Sequence, residues 1–508
     1  MTIPSEHLIV FPGEMDATQL EGKIGKLRVR VDPPLAPVSF QLWDCFDRPL
    51  LRAGKSLLEF EDRFLLISAS GCCVSQSAQR SGNFVSDLEN GVVKQGLSKV
   101  SPLRALLETC SGQLESRHVA VLDTLQKTQA RAAVHTLRTQ DGAVTLVSMQ
   151  RLRGYDKAFA ALEGAIKSLV TTNVQIPETF QSLGPDRPLY TTKLRFGFEA
   201  NTPIADAVTV ITRGLLEIAR ANEAGIIADH DSEFLHDYRV ALRKIRSLLG
   251  ACKGVFSNAQ TAALTQQFDD LMAPTGRLRD LDVHERDLAG YFDVVPENLH
   301  PGLHIMVRAF RKQRATEHRK FAKSLSSRPY QKTMRALASQ LSEDGWLERG
   351  PKADQTGAQF ARKLIWKRYK KLYHAVQGID AGVSDTQLHD VRVLCKRLRY
   401  VLDLFASLFP PNQLKPLMKS LKNTQEDLGT FNDCVVQRDA LQRFLDTYLA
   451  KNTADGHEIA LSVGGVVTVL THRQHIARAK SIAHLSRLAS PDYQKTLRQL
   501  LTTQETKE

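Results

Sequence analysis

Two patterns of apolar and polar residues divide the chain near residue 200. Before that position, short alternating or apolar runs of the kind that form β-strands are separated by Gly and Pro turns. The runs are Leu8–Phe11, Lys26–Val31, Pro37–Leu42, Leu57–Ile67, His118–Leu122, Arg131–Leu137 and Ala143–Val147, and Tyr155–Thr171 has helical spacing. The pattern therefore predicts an α+β domain over residues 1–190.

From about Thr202 onward, apolar residues recur at intervals of three and four, which is the period of a helix packed on one side. Pro and Gly residues interrupt this pattern often enough to give helices of about 20–25 residues. Such helices are typical of bundles rather than of one long coiled coil. We therefore predict an all-α region with almost no β-structure.

The helical half contains an internal repeat. Residues 236–256 (HDYRVALRKIRSLLGACKGVF) align with residues 389–409 (HDVRVLCKRLRYVLDLFASLF), and the same offset aligns TGRLRD after the first copy with LGTFND after the second. Two separated segments that keep one register indicate a duplicated unit. We predict one four-helix bundle in residues 200–350 and a second in residues 351–502.

Helical geometry places the basic residues of each copy on one face, beside an apolar stripe that packs into the bundle. The two basic rows are His236, Arg239, Arg243 and Arg246 in the first copy and His389, Arg392, Lys396 and Arg399 in the second. Because no acidic residue lies within either row, each predicts a site for an anion with several negative charges. The alternative is a solvent-exposed basic face, which usually mixes Lys with Glu.

Further basic residues of neighbouring segments extend the candidate site. They are Lys244 and Arg397 within the repeated motif, Arg308 and Arg319 in one later helical segment, and Arg473 and Arg478 in the last long helix. Aromatic residues seldom alternate with these cations, so the stacking of nucleic-acid bases is poorly supported.

Charge is concentrated in the same half of the chain. The 508 residues have a formal net charge of +13. Residues 1–200 hold 23 Lys and Arg against 21 Asp and Glu, so +2 lies there and +11 in the remainder. A concentrated basic surface attracts nucleic acid, anionic membranes or phosphate polymers.

Composition excludes several classes of protein. With 42% hydrophobic and 24% charged residues, the chain is neither disordered nor a membrane bundle, and its N-terminus resembles no secretion signal. Seven cysteines without a C-x-x-C pair indicate a reducing, cytoplasmic environment and no structural zinc site. We therefore expect no membrane partner, no metal and no cofactor.

The doubled H-D-x-R-V-x-x-[RK]-[KR]-x-R helix, with TGRLRDLDV and LGTFNDCVV following, resembles the CHAD domain, the conserved histidine α-helical domain. The resemblance covers about residues 200–500. It implies two four-helix bundles related by a pseudo-twofold axis around a basic cavity that binds inorganic polyphosphate. It also implies recruitment to polyphosphate or storage granules in bacteria, with the two basic rows as the anion contacts. Asn432 stands opposite Arg279 in the repeat, so the halves differ there.

The first domain is similar to the CYTH domain, a β-tunnel triphosphatase, over FQLWDCFDRPLLRAGKSLLEF and RLRGYDKAFAAL. The catalytic features of that family are missing, because HLIVF stands where an E-x-E-x-K strand is expected and Glu59 and Glu61 stand where tunnel arginines are expected. We expect Glu59–Arg63 to be part of an alternating strand with misplaced carboxylates. The domain is therefore predicted to be degenerate, to hold no catalytic residue, and to act as a scaffold or as a surface for a protein partner.

Three functions follow from these observations. The first is non-catalytic binding of inorganic polyphosphate, which could direct the protein to granules. The second is a CYTH-type triphosphatase or polyphosphatase in the first domain. The third is binding of a nucleic-acid backbone, for which no helix-turn-helix or RNA-recognition motif is present.

Overall fold

The computed structural model describes residues 7–169, 176–185, 189–192, 194, 196–342, 346–380, 382–450 and 455–502. Contacts between Cα atoms divide the chain into two compact units, Met1–Thr191 and Thr192–Glu508. In the described residues, the first unit combines strands with short helices and the second consists of helices without a β-strand. The predicted fold class is thereby confirmed.

Ten antiparallel strands form one sheet in the described part of the first unit. They are β1 (His7–Pro12), β2 (Gly22–Ile24), β3 (Leu27–Val31), β4 (Val38–Asp44), β5 (Lys55–Phe60), β6 (Arg63–Ser68), β7 (Cys73–Ser77), β8 (Leu107–Leu122), β9 (Thr128–Arg138) and β10 (Ala143–Arg151). The main order is β1-β10-β9-β8-β4-β5-β6-β7. The long strand β8 pairs with β9 on one side and with both β4 and β3 on the other, while β2 extends the β3 branch.

The sheet curls into a half-barrel around an apolar core. One cluster of buried residues draws side chains from all eight strands of the main path, including Leu8 at one edge and Cys73 at the other. Phe180, from the short helix α4 (Ile176–Gln181), and Leu183 just after it pack into the same cluster. Since residues of both edge strands share this core, it fills the concave face of the sheet.

Three other helices of the unit are α1 (Pro49–Arg52), α2 (Val92–Gly96) and α3 (Asp156–Ser168). Helix α3 buries Phe159, Leu162 and Ile166 against the opposite face of β1, β8, β9 and β10. It confirms the helix that was predicted from Tyr155, although residues 170 and 171 of that prediction lie outside the described residues.

The seven predicted β-type runs all fall on strands, but one of them spans a hairpin. Glu61 and Asp62 form the two-residue turn between β5 and β6, and Glu61 has a φ of 53°, in the left-handed region. The expectation of one alternating strand over Glu59–Arg63 is therefore wrong. Buried apolar residues continue on both sides of the turn, so the run shows no break where the chain reverses.

Eleven helices are found in the described part of the second unit. They are α5 (Ile204–Ile227), α6 (Ser232–Ala251), α7 (Asn258–Met272), α8 (Gly276–Phe292), α9 (His300–Leu325), α10 (Arg328–Gln340), α11 (Gly357–Gln377), α12 (Asp385–Leu404), α13 (Pro411–Leu449), α14 (Gly456–Leu488) and α15 (Pro491–Thr502). In the first copy, α5, α6, α7–α8 and α9 pack in sequence, and α5 also contacts α9. Helices α11, α12, α13 and α14 make the same set of contacts in the second copy.

Backbone hydrogen bonds show the pseudo-twofold relation between the copies. The N–H of Ile204 donates to the carbonyl of Gln355 over 2.8 Å, and the N–H of Gly357 donates to the carbonyl of Thr202, also over 2.8 Å. The repeat alignment, in which residue 236 matches residue 389, pairs Ile204 with Gly357 and Thr202 with Gln355. Each of the two bonds is therefore the counterpart of the other in the opposite repeat. Such a reciprocal pair is what a twofold axis between the starts of α5 and α11 requires.

The two copies share part of their hydrophobic core. One buried cluster combines Leu303 and Phe310 of α9 with Phe444 of α13 and Val463 of α14, together with residues of α8. Helices α9 and α14 are in close contact at Gly302, where an added Cβ would lie 2.3 Å from the Ser462 hydroxyl oxygen. The repeats are therefore held together by apolar packing as well as by backbone bonds.

Of the helices described here, none has the length and the apolar character needed to cross a membrane.

Candidate functional site

The two helices that carry the basic rows begin at equivalent positions of the repeat. The Asp231 carboxylate accepts the N–H groups of Glu233 and Phe234 at the start of α6. At the start of α12, Ser384 forms a reciprocal capping box with Gln387. Each cap satisfies backbone donors that the first turn leaves unpaired. Both helices then bury their apolar stripe, which turns the basic row away from the bundle core.

Arg239 and Arg392 occupy equivalent positions and are both half-buried. Each has a buried Nε that makes no hydrogen bond with the described residues. Nη1 of Arg239 donates to the Thr275 hydroxyl, whereas Nη2 of Arg392 lies 3.9 Å from a carboxylate oxygen of Asp433. Burial is the main reason that the pKa of Arg239 falls to about 10, and it also lowers the pKa of Arg392.

The two rows converge on a second equivalent pair, Arg243 and Lys396. Neither side chain makes a hydrogen bond or an ion pair within the described part of the chain. Lys396 has a pKa lowered from 10.5 to about 7, first because burial removes water and next because Arg392 and Arg243 are near. Arg243 also lowers the pKa of Arg392. A cation of the first repeat therefore lies close to the row of the second.

Helices α8 and α13 add three charged residues that the sequence analysis did not place in the site. Arg279 is half-buried, its partial loss of hydration lowers its pKa, and its Nη1 donates to the Ser232 carbonyl over 3.3 Å. The carboxylate of Asp280 partly offsets the lowering of the pKa of Arg239, and that of Asp433 does the same for Arg392 and Lys396. The repeat alignment of TGRLRD with LGTFND, which pairs the two aspartates, was the signal that could have found them.

We use the name central cluster for seven residues: Arg239, Arg243, Arg279, Arg392, Lys396, Asp280 and Asp433. The rows themselves contain no carboxylate, as predicted, but neighbouring helices place Asp280 and Asp433 beside them. The seven named groups carry an excess of three positive charges when all are ionised, and Glu233 and Asp282 also act on Arg279 from outside this set. Arg399 also belongs beside this cluster, because it lowers the pKa of Lys396.

The two histidines of the rows have different surroundings. Nδ1 of His389 lies 2.8 Å from Oδ1 of Asn432 and donates to it, and this histidine is exposed. Its counterpart His236 is half-buried, and Arg279 stands at the position equivalent to Asn432. Because Arg279 stands where the second repeat has Asn432, the first half of the site is more cationic than the second.

Three predicted anion contacts are instead held by carboxylates. The pairs are Lys244 with Asp403 (2.8 Å), Arg246 with Asp269, and Arg478 with Asp385 (2.6 Å). The Lys244 pair joins α6 to α12 and so links the two repeats. These ion pairs reduce the charge that the three cations can offer to a ligand.

The remaining predicted contacts lie outside the central cluster. Arg308, Arg319 and Arg473 are exposed, and no contact among the described residues connects them with the cluster. Arg397 is also exposed. Its positive charge, after burial, lowers the pKa of Arg368 on α11. The structure thus brings together the middle of each basic row and leaves these four cations apart from it.

In the first unit, the two carboxylates considered for a triphosphatase site, Glu59 and Glu61, both lie in the β5–β6 hairpin. Arg80 Nη1 donates to the Glu59 carboxylate over 2.9 Å, and Glu61 lies in the β5–β6 turn. Across both units, the described residues contain no group of three or more His, Cys, Asp or Glu arranged to hold a metal ion.

These features define a helical protein with internal twofold symmetry and a cationic site where its repeats meet. Residues 211–442 match the family model of the CHAD domain, so the second unit carries a CHAD domain. The curled sheet of the first unit is compatible with a CYTH-like domain.

Two solved structures are similar to this chain. One is the crystal structure of the CHAD domain from the plant Ricinus communis, with 25% sequence identity, a TM-score of 0.48, and coverage of 58% of this chain and 95% of that chain. The other is PptA from Streptomyces chartreusis, with 14% identity, a TM-score of 0.45, and coverage of 56% of this chain and 100% of that chain. No curated protein matches the chain.

Proposed function

We propose that the central cluster binds inorganic polyphosphate without catalysing a reaction on it. The observation that carries this proposal is the equivalent pair Arg239 and Arg392, each with a buried Nε that lacks a partner among the described residues. An unpaired buried guanidinium donor is costly, and an anionic oxygen is the acceptor that satisfies it best. The CHAD family match of residues 211–442 supports the same ligand class.

The arrangement of the cations favours a linear polymer over a single phosphate. Arg239 and Arg243 come from α6, while Arg392 and Lys396 come from α12, so donors approach from two sides. Arginine presents several N–H groups in a plane and can contact oxygens of adjacent phosphates. A chain that passes between the rows would meet cations of both repeats and relieve the repulsion that, after burial, lowers their pKa values.

The experiment that tests the proposal compares two double variants of the full chain. Arg239→Glu with Arg392→Glu reverses both central cations and is expected to abolish binding of long-chain polyphosphate. Lys415→Glu with Lys419→Glu makes the same change of charge at two exposed residues of α13 outside the cluster, and it should reduce affinity only slightly. Equal losses in the two variants would show that net charge, rather than this site, binds the polymer.

Salt dependence and competition distinguish polyphosphate from other polyanions. Each phosphate neutralised contributes roughly −0.7 to −0.9 to the slope of log K against log salt for nucleic acids, so contact with four phosphates predicts a slope of about −3. Binding that does not change with salt would contradict the proposal. If DNA displaces polyphosphate at equal phosphate concentration, the site is a general binder of phosphate backbones.

Recruitment to polyphosphate granules would follow from the same interaction. A fluorescent fusion of the full chain should colocalise with polyphosphate bodies in a cell that makes them. The Arg239→Glu and Arg392→Glu double variant should be diffuse, whereas the α13 control variant should remain on the granules. Colocalisation that survives in the double variant would mean that a surface other than the central cluster recruits the protein.

A further inference from the structure

Lys396 is the one primary amine in the central cluster. It lies on α12, with Arg392 one turn before it and Arg399 one turn after it, and it faces Arg243 from α6. The equivalent residue of the first repeat is Arg243, whose guanidinium is not a useful nucleophile at neutral pH because it stays protonated. Of the seven residues of the central cluster, only Lys396, on the side of the second repeat, carries an amine.

The surroundings of Lys396 keep its amine unpaired and near anion-binding groups. The charged groups that face it are Arg392 and Arg399 on α12, Arg243 on α6 and Asp433 on α13. No carboxylate oxygen of the described residues lies within 4.0 Å of its Nζ, and no hydrogen bond occupies it. The side chain remains partly accessible to solvent.

Burial, and after it the positive charges of Arg392 and Arg243, lower the pKa of Lys396 to about 7. A far larger fraction of its amine is therefore neutral at pH 7.5 than in an ordinary lysine. An ordinary lysine, with a pKa near 10.4, is neutral in only about one molecule in a thousand at that pH. A neutral amine is the form that attacks an electrophilic carbon.

We propose that Lys396 is a site of acylation by small acyl phosphates, which the surrounding arginines hold by their phosphate end. This inference rests on the proposed function, because the same cations that would bind polyphosphate recruit the anionic reagent. The lone pair of Nζ attacks the acyl carbon, and an amide C–N bond forms as the bond from that carbon to the phosphate oxygen breaks. Inorganic phosphate leaves with the electron pair, the nitrogen loses one proton to solvent, and no group is oxidised or reduced.

Acylation would regulate the site because it changes both charge and volume. The amide removes an amine that would take up a proton when a polyanion binds, and it places an uncharged group between the two rows. We expect polyphosphate affinity to fall by about tenfold, as for the loss of one contact between a charged donor and a phosphate oxygen. Bound polyphosphate should in turn cover Lys396 and slow its acylation.

Site-resolved mass spectrometry of the full chain tests the inference. The protein is treated with acetyl phosphate at pH 7.5 and low salt, and the acetylation rate of each lysine is measured. Lys396 should react at least tenfold faster than Lys419, an exposed lysine with no partner in the part of the chain that the structure describes. Lys244 should react slowly because Asp403 holds its amine. A rate at Lys396 no higher than that at Lys419 would overturn the inference.

An uncharged reagent and one variant separate the steps of the proposal. The excess rate at Lys396 over Lys419 should shrink when an uncharged N-hydroxysuccinimide ester replaces acetyl phosphate, and an unchanged excess would refute recruitment through the phosphate. Acetyl phosphate treatment should weaken polyphosphate binding by the wild-type chain but not by Lys396→Arg, each compared with its own untreated sample. An equal loss in the variant would place the regulatory site elsewhere.

The two proposals can fail independently. Direct polyphosphate binding without selective labelling of Lys396 would refute acylation and leave the proposed function standing. Selective labelling by acetyl phosphate in a protein that does not bind polyphosphate would support acylation and refute the proposed function.

Discussion

Replacing Arg243 with Gln should affect the ligand-free protein and the polyphosphate complex in opposite directions. Arg243 lowers the pKa values of Arg239, Arg279, Arg392 and Lys396, so it lies close to four other cations. It has no hydrogen bond or ion pair in the described part of the chain that would compensate this repulsion. Its charge is therefore unfavourable before ligand binds and favourable afterwards.

The size of the effect follows from Coulomb's law. Two like charges about 10 Å apart in a medium of effective dielectric constant about 40 repel by about 0.8 kcal/mol, which 0.1 M salt reduces to about 0.3 kcal/mol. Four such neighbours give roughly 1 kcal/mol, so Arg243→Gln should raise the free energy of unfolding by about that amount. Loss of a hydrogen bond to a charged group should weaken binding by about 1.5–3 kcal/mol, or roughly 10- to 100-fold.

Urea unfolding followed by circular dichroism measures the first effect, and equilibrium titration with long-chain polyphosphate measures the second. Lys415→Gln is the matched control, because it removes one positive charge from an exposed side chain of α13. That variant should change the free energy of unfolding by less than about 0.5 kcal/mol. A less stable Arg243→Gln protein with unchanged affinity would refute the reasoning, because Arg243 would then be a packing residue rather than a ligand contact.

Three further predictions concern the same unit. Asp433→Asn removes a carboxylate that faces the cationic site, so polyphosphate should bind several-fold more tightly at low salt in an equilibrium titration; weaker binding would contradict this. Gly302→Ala places a Cβ 2.3 Å from the Ser462 hydroxyl oxygen and 2.4 Å from the Glu458 carbonyl oxygen, and denaturant unfolding should show a loss of about 1–3 kcal/mol; wild-type stability would mean that α9 and α14 do not approach so closely. The depressed pKa of Lys396 means that the unfolded state binds more protons between about pH 7 and 10, so the ligand-free protein should become more stable as pH rises through this range. Unfolding curves of Lys396→Met should lack that component of the rise, and identical pH profiles for variant and wild type would count against the assigned pKa.

Predictions from local periodicity were reliable where one short segment determines the outcome. The strand runs and helix α3 were found because side-chain alternation and helical spacing depend on neighbouring residues only. The β5–β6 hairpin was missed because Glu61 and Asp62 interrupt a run whose flanking residues are buried on both sides. A tight turn between two core strands needs a change of backbone angle at two positions, which apolar patterning does not report.

The repeat allowed the sequence by itself to determine more than secondary structure. A constant offset between two copies predicted equivalent basic rows, and the pairs Arg239 with Arg392 and Arg243 with Lys396 occupy equivalent positions of α6 and α12. The reciprocal backbone bonds at the starts of α5 and α11 show the symmetry that such a duplication favours. Periodicity sufficed here because the rows lie on single helices.

Only the tertiary structure decided which cations form one site. Lys244 and Arg246 belong to the same helix as Arg243, yet carboxylates of other segments hold both of them, while Arg243 has no such partner among the described residues. Asp433 joined the cluster from a different helix. The spacing of residues along one helix defines a face, but the partners of that face depend on how distant helices cross, and this is set by the packing of the shared core.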